Sequence, residues 1–158
     1  MTRTVVIGVG NRMRGDDAAG VAVAERLRPR VPAGVEVVAC DEEPSRLMDA
    51  WEGADTAVLV DAVTSGSPAG TLHRFEAGRR PVPAREFRSS THAIGVADTI
   101  ELARALGRLP RRVLVYGIEA RSFEAGAPLT PPVETAVAGA AAAVLGDLKR
   151  EACTSAPS

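Results

Sequence analysis

Aromatic side chains are nearly absent: Phe, Tyr and Trp make up 3% of the 158 residues, although 46% are apolar. A core without large rings must be built from Val, Ala, Leu and Ile, which suits buried strands and closely packed helices. Cysteine is scarce too. Cys40 and Cys153 lack metal-type spacing and lie in unlike contexts, so both read as free thiols, Cys40 as a small buried hydrophobe. Charge of one sign does not prevail. The formal net charge is −1, and Lys and Arg are scattered rather than gathered into a basic stripe, which speaks against a nucleic-acid partner. No apolar run approaches membrane-spanning length, and Met1-Thr2-Arg3 leads into a strand without a leader-like apolar stretch. No membrane association and a cytoplasmic location are therefore expected.

A chain of this length holds one domain with a real core and is short for two. The pattern places that domain over residues 1–150 and a flexible C-terminal tail over 151–158. Residues 4–9 form a β-branched strand, followed by a loop and an Ala-rich helix over 18–27. A second strand covers 35–39, a short helix capped by Ser45 carries Leu47, Met48 and Trp51, and a third strand covers 56–60. The alternation predicts a parallel sheet with helices on both faces. Between this strand and the next, over 71–76, only residues 62–70 intervene, too few for a helical crossover. The fourth strand must therefore run antiparallel, and its His73, Arg74 and Glu76 suit a solvated edge. A polar loop over 77–91, a helix over 94–106, a fifth strand over 112–118 and a helix starting at Thr130-Pro131 complete the chain. The expected fold class is α/β: a three-layer sandwich with a five-stranded, mostly parallel sheet and one antiparallel edge strand.

The chemistry-bearing residues are far apart in sequence: Gly8-Val9-Gly10-Asn11 with Asp16-Asp17, then Asp61 after the third strand, then His92 after the long loop. Each follows a strand or opens a helix, so this fold can bring them to one rim. Two carboxylates and an imidazole are a plausible donor set for a divalent metal. Asp16 and Asp17 also suit a helix start, where Asp16 caps amides while Asp17 projects to the rim. Gly8-Val9-Gly10 imitates a dinucleotide fingerprint, but Met13 stands where the third glycine belongs, and two acids occupy the place of a pyrophosphate. Ser89 or Ser90 with His92 lacks the strand-to-helix elbow of a serine hydrolase, and no H-E-x-x-H element is present.

The ordered fragments Gly8-Val9-Gly10-Asn11, Asp16-Asp17, Gly20, Val60-Asp61-Ala62, Pro68-Ala69-Gly70-Thr71, Thr91-His92-Ala93-Ile94-Gly95, Gly117-Ile118 and Leu129-Thr130-Pro131 resemble the [NiFe]-hydrogenase maturation proteases. The resemblance implies a cytoplasmic endopeptidase, aspartyl-type or metal-dependent, that removes the C-terminal extension of a hydrogenase large-subunit precursor. By motif, Asp17, Asp61 and His92 become the catalytic and metal-binding residues. The implied metal is nickel supplied by the substrate, with other divalent metals as substitutes, so the enzyme acts as a checkpoint on nickel loading. One departure stands out: Asp41-Glu42-Glu43-Pro44 occupies a position where many members carry a Gly-Gly pair, so Glu42 and Glu43 are expected to face the substrate cleft. Two other readings stand beside it: a non-enzymatic metallochaperone or assembly factor using the same ligands, and a Rossmann-like nucleotide-binding domain built on Gly8-Val9-Gly10.

Overall fold

The computed structural model describes residues 2–78, 80–82 and 95–155. Five strands, β1 (Thr4–Val9), β2 (Val35–Cys40), β3 (Thr56–Val63), β4 (Leu72–Glu76) and β5 (Arg112–Glu119), form one sheet in the order β2-β1-β3-β5-β4. All neighbours are parallel except β4 and β5. The antiparallel edge strand follows from the short link after β3, and the expected architecture is the observed one.

Among the described residues four helices cover the sheet: α1 (Ala19–Leu27), α2 (Pro44–Trp51), α3 (Val96–Ala105) and α4 (Pro131–Ser155). On one face Val23, Ala24 and Leu27 of α1 and Val133, Val137 and Val144 of α4 pack against Val6, Val58 and Leu114. On the other, Leu47, Met48 and Trp51 of α2 and Ile100 of α3 pack against Ile7, Leu59 and Val115. Alternate strand residues thus feed two cores, as the period of two requires. Trp51 closes the second core and donates its indole N–H to the Arg108 carbonyl at 2.9 Å. The aliphatic composition permits close approach between layers. A Cβ on Gly20 of α1 would lie 2.2 Å from the Val60 carbonyl oxygen and 2.6 Å from that of Val9, so only glycine lets α1 settle over β1 and β3.

Several local expectations differ from the structure. The chain enters α1 through a 3-10 turn over Gly15–Ala18 rather than directly at Ala18. Helix α2 is capped by Glu43, not Ser45: the Glu43 carboxylate accepts the backbone N–H groups of Ser45 and Arg46, with Pro44 opening the helix. Serine fits such a cap by type, but proline's fixed φ at Pro44 starts the helix two residues earlier. Strand β3 runs on to Val63 because β5 continues to pair with it through Val63↔Glu119. Helix α4 continues through Ser155, past the expected start of the tail at residue 151, and Glu151 accepts the Thr56 hydroxyl at 2.6 Å.

His73, expected to be solvated, is instead 18% exposed, with Nε2 3.2 Å from Glu119 and 3.3 Å from the Ser65 hydroxyl. On the same edge strand, Arg74 makes a two-point contact with Asp147 of α4, at 3.0 Å for both Nε and Nη2, and the Tyr116 hydroxyl also donates to Asp147. Burial would raise the Asp147 pKa, but hydrogen bonds and charge from Arg74 and Arg150 outweigh it and hold the carboxyl below its usual range. A depressed carboxylate contributes stability that is present above the unfolded-state pKa and is lost as pH falls through the folded-state value. The urea midpoint of the wild type is therefore expected to drop more steeply below about pH 4 than that of Asp147→Asn, whose midpoint should be lower at neutral pH. Parallel acid limbs for the two proteins would contradict this account.

Candidate active site

The strand order reverses between β1 and β3: from β1 the chain moves outward to β2, then returns to β3 on its other side. Loops leaving the carboxyl ends of these strands diverge, opening the crevice in which α/β folds bind ligands. Three carboxylates meet there. β1 ends at Val9, and Gly10, at φ +143°, turns the chain so tightly that a Cβ would lie 1.9 Å from the Asp17 carbonyl oxygen. That turn brings Asp17 over the end of β1, where its Oδ2 accepts the Asn11 N–H at 3.0 Å. Asp61 is the first β3 residue past the end of its pairing with β1, which stops at Gly8↔Val60. Its Oδ1 accepts the N–H of Ala62 at 2.8 Å. Glu42 comes from the segment after β2.

One carboxylate oxygen from each of Asp17, Glu42 and Asp61 lies within 4.8 Å of the others, and no other group of three His, Cys, Asp or Glu side chains converges in this way among the described residues. Asp17 is fully buried, and Glu42 and Asp61 are each 2% exposed. Burial pushes the Asp61 carboxyl well above the usual aspartate range. The neighbouring Glu42 and Asp17 charges push it further, and Glu42 adds a hydrogen bond.

The structure therefore brings Asp17 and Asp61 together. His92 lies outside the described residues, as do Ser89, Ser90 and Thr91. Asp16, expected to cap the helix start, makes no cap hydrogen bond. Its Oδ2 accepts the N–H groups of Arg121 (2.8 Å) and Ser122 (3.1 Å), and its Oδ1 accepts that of Thr130 (2.7 Å), so it pins the link between β5 and α4. The turn points the two adjacent acids in different directions, one into the crevice and one into that link.

Glu42 is the residue sequence reasoning missed as a member of the site. It was expected to line a cleft together with Glu43, yet it is buried against Asp17 and Asp61, while exposed Glu43 caps α2. A signal was there: Val38 and Cys40 pack on the face that Leu59 and Val63 occupy, and Glu42 and Asp61 continue those two alternations. A groove of about 840 Å3 runs beside the cluster, lined by Gly10, Asn11, Met13, Cys40, Glu42 and Pro44. Met13, one of its lining residues, is 70% exposed. Cys40 keeps its proton: burial first, then the charges of Asp41 and Asp61, raise its pKa to about 11. A second cavity of about 670 Å3 lies at the amino ends of the strands, but its Arg112 is already paired with Glu76 and Glu151.

No helix among the described residues is long and apolar enough to cross a membrane. The family model described as hydrogenase maturation protease matches residues 21–147. Hydrogenase 2 maturation protease of Escherichia coli K12 is 30% identical, over 98% of this chain and 96% of its own. The hydrogenase maturating endopeptidase HybD from E. coli superposes with a TM-score of 0.80 at 28% identity, covering 95% of this chain and 94% of that one. The [NiFe] hydrogenase maturation protease HycI from Thermococcus kodakarensis KOD1 gives a TM-score of 0.72 at 26% identity, covering 94% and 93%. These likenesses favour a hydrolase over a nucleotide-binding domain or a non-enzymatic metallochaperone. With the match to most of its length and carboxylates gathered at the switch point of its sheet, the chain belongs to the hydrogenase maturation proteases.

Proposed function

We propose that the protein is a metal-dependent endopeptidase that removes the C-terminal extension of a nickel-loaded [NiFe]-hydrogenase large-subunit precursor. The observation that carries the reading is the convergence of buried Asp17 and Asp61 in the crevice of a chain from this family. Buried carboxylates crowded together repel unless protons or a cation compensate them, and oxygen donors suit a divalent ion. The donor set therefore fits a metal. With His92, Asp17 and Asp61 would hold nickel that arrives inside the precursor, and other divalent metals would substitute for it. Such an ion, when bound, polarises a carbonyl and acidifies water.

The chain's own residues position the reaction. The hydrogen bonds from Ala62 and Asn11 fix the Asp61 and Asp17 carboxylates, so little ordering remains when substrate docks. The groove beside them is large enough for the peptide segment that flanks the scissile bond, and their burial keeps bulk water from competing. Because the ion comes with the substrate, an unloaded precursor would not complete the site, and cleavage would report that loading is finished.

Incubating the purified protein with nickel-loaded and nickel-free precursor, and following substrate mass, tests the reading. Only the loaded precursor should be shortened, and a His92→Ala variant with a native circular dichroism spectrum should leave both intact. Equal cleavage of the two precursors would exclude the checkpoint. Normal cleavage by the variant would remove His92 from the donor set.

A further inference from the structure

The chain has two histidines, and the donor set for the ion uses His92. The other, His73 of β4, shares a cross-strand row with Asp61: Asp61 pairs with Gly117 of β5, and Gly117 pairs with His73. Both side chains project from one face of the sheet, because Phe75, two residues beyond His73, packs into the same core as Leu59, two residues before Asp61. Gly117 puts no side chain of its own between them. Two strand spacings of about 4.8 Å separate the two backbones by roughly 10 Å, a span that takes one peptide group with a polar partner on each side.

The neighbours of His73 fix which of its nitrogens exchanges a proton. Burial would raise the pKa of Glu119, but hydrogen bonds from Ser65, then from His73, outweigh it, so this buried carboxyl stays ionised and offers no hydrogen. The Ser65 hydroxyl donates to Glu119 Oε1 at 2.5 Å. With that hydrogen committed, His73 Nε2, 3.2 Å from Glu119 and 3.3 Å from Ser65, must carry the one it shares with them, and Nδ1 is the nitrogen that gains and loses a proton. The Ser65 amide also donates to Glu119, at 2.8 Å, which anchors the constellation just past the end of β3. Resting on the endopeptidase reading, we infer that His73 is the general acid of the cleavage, with Glu119 and Ser65 as its positioning residues. An amine leaves only when protonated, and carboxylates that hold a cation have no proton to give. Water adds its oxygen to the scissile carbonyl carbon and releases one proton; the C–N bond then breaks as the Nδ1 proton of the His73 imidazolium passes to the nitrogen, which leaves as an amine. The proton released by the water restores the imidazolium, so each turnover consumes one water and nothing else.

The test uses the purified full chain and two nickel-loaded precursors, one natural and one semisynthetic with an ester in place of the scissile amide, whose alcohol leaves with much less help from a proton. His73→Gln with a native circular dichroism spectrum should lower kcat on the amide at least about 100-fold and on the ester less than about tenfold, with KM little changed for either. Independently of any precursor, 15N NMR of wild type should show the neutral His73 ring as the Nε2–H tautomer. A folded His73→Gln protein that keeps the wild-type kcat, an equal loss on amide and ester, or an Nδ1–H ring in wild type would each overturn the inference while wild-type cleavage stands. If wild type shortens neither precursor, the endopeptidase reading falls and the inference falls with it.

Discussion

Asp61→Asn is expected to abolish cleavage of the nickel-loaded precursor while leaving the protein folded and, without metal, slightly more stable. The substitution is nearly isosteric, and the amide oxygen can still accept the Ala62 N–H now held at 2.8 Å. Its nitrogen can donate to Glu42, which already shares a hydrogen bond with Asp61. What disappears is a charge that the fold tolerates poorly, since burial and two neighbouring acids disfavour its ionised form. Relief of that conflict should contribute about 1 kcal/mol, in the manner of active-site residues whose removal stabilises a protein at the expense of activity. Substrate mass and urea unfolding in chelator decide the matter. A variant that cleaves normally, or one destabilised by more than about 1 kcal/mol, would show that Asp61 serves packing rather than chemistry.

The neighbouring acids after β1 should behave in opposite ways. Asp16→Ala is expected to lower unfolding stability by about 3–5 kcal/mol, because the N–H groups of Arg121, Ser122 and Thr130 lose their common acceptor at once. An unsatisfied buried donor costs about 1–3 kcal/mol, and a typical domain has only about 5–15 kcal/mol to lose. The Thr130 hydroxyl, which donates to the same carboxylate, loses its partner as well. Asp17→Asn, by contrast, keeps the acceptor for Asn11 and should leave the urea midpoint near that of wild type. A small effect of Asp16→Ala would mean that solvent or a rearranged loop replaces the carboxylate, and that the link between β5 and α4 is held by other contacts.

This division of labour between adjacent aspartates was only half legible in the sequence. Two acids before an Ala-rich helix have an ordinary local explanation as caps, and nothing local reveals that Asp16 is bonded across 114 positions to Thr130. The same holds for Glu42 and Glu43. As letters they are equivalent, but Pro44 commits Glu43 to the start of α2, and the strand alternation carries Glu42 inward. His73 was misread for a related reason: an edge strand exposes one row of backbone groups, but the buried Glu119 that holds this side chain comes from β5.

By itself, the sequence determined the elements, the parallel sheet and the edge position of β4, whereas the order β2-β1-β3-β5-β4 came from the structure. Strand and helix follow from apolar periods of two and about 3.6, and the antiparallel turn of β4 follows from the length of a nine-residue link, all of which are local quantities. It also pointed to one rim for Asp17 and Asp61, because the carboxyl ends of parallel strands share an edge, and the pairing of β1 with β3 makes those ends adjacent. Only the tertiary structure decided which oxygens face one another, that Asp16 holds a distant loop, and that Glu42 joins the site. Those outcomes depend on a turn at Gly10, on α1 seating against β1 and β3 at Gly20, and on pairings between residues far apart in the chain. No local pattern encodes the direction of a side chain once several elements have packed around it.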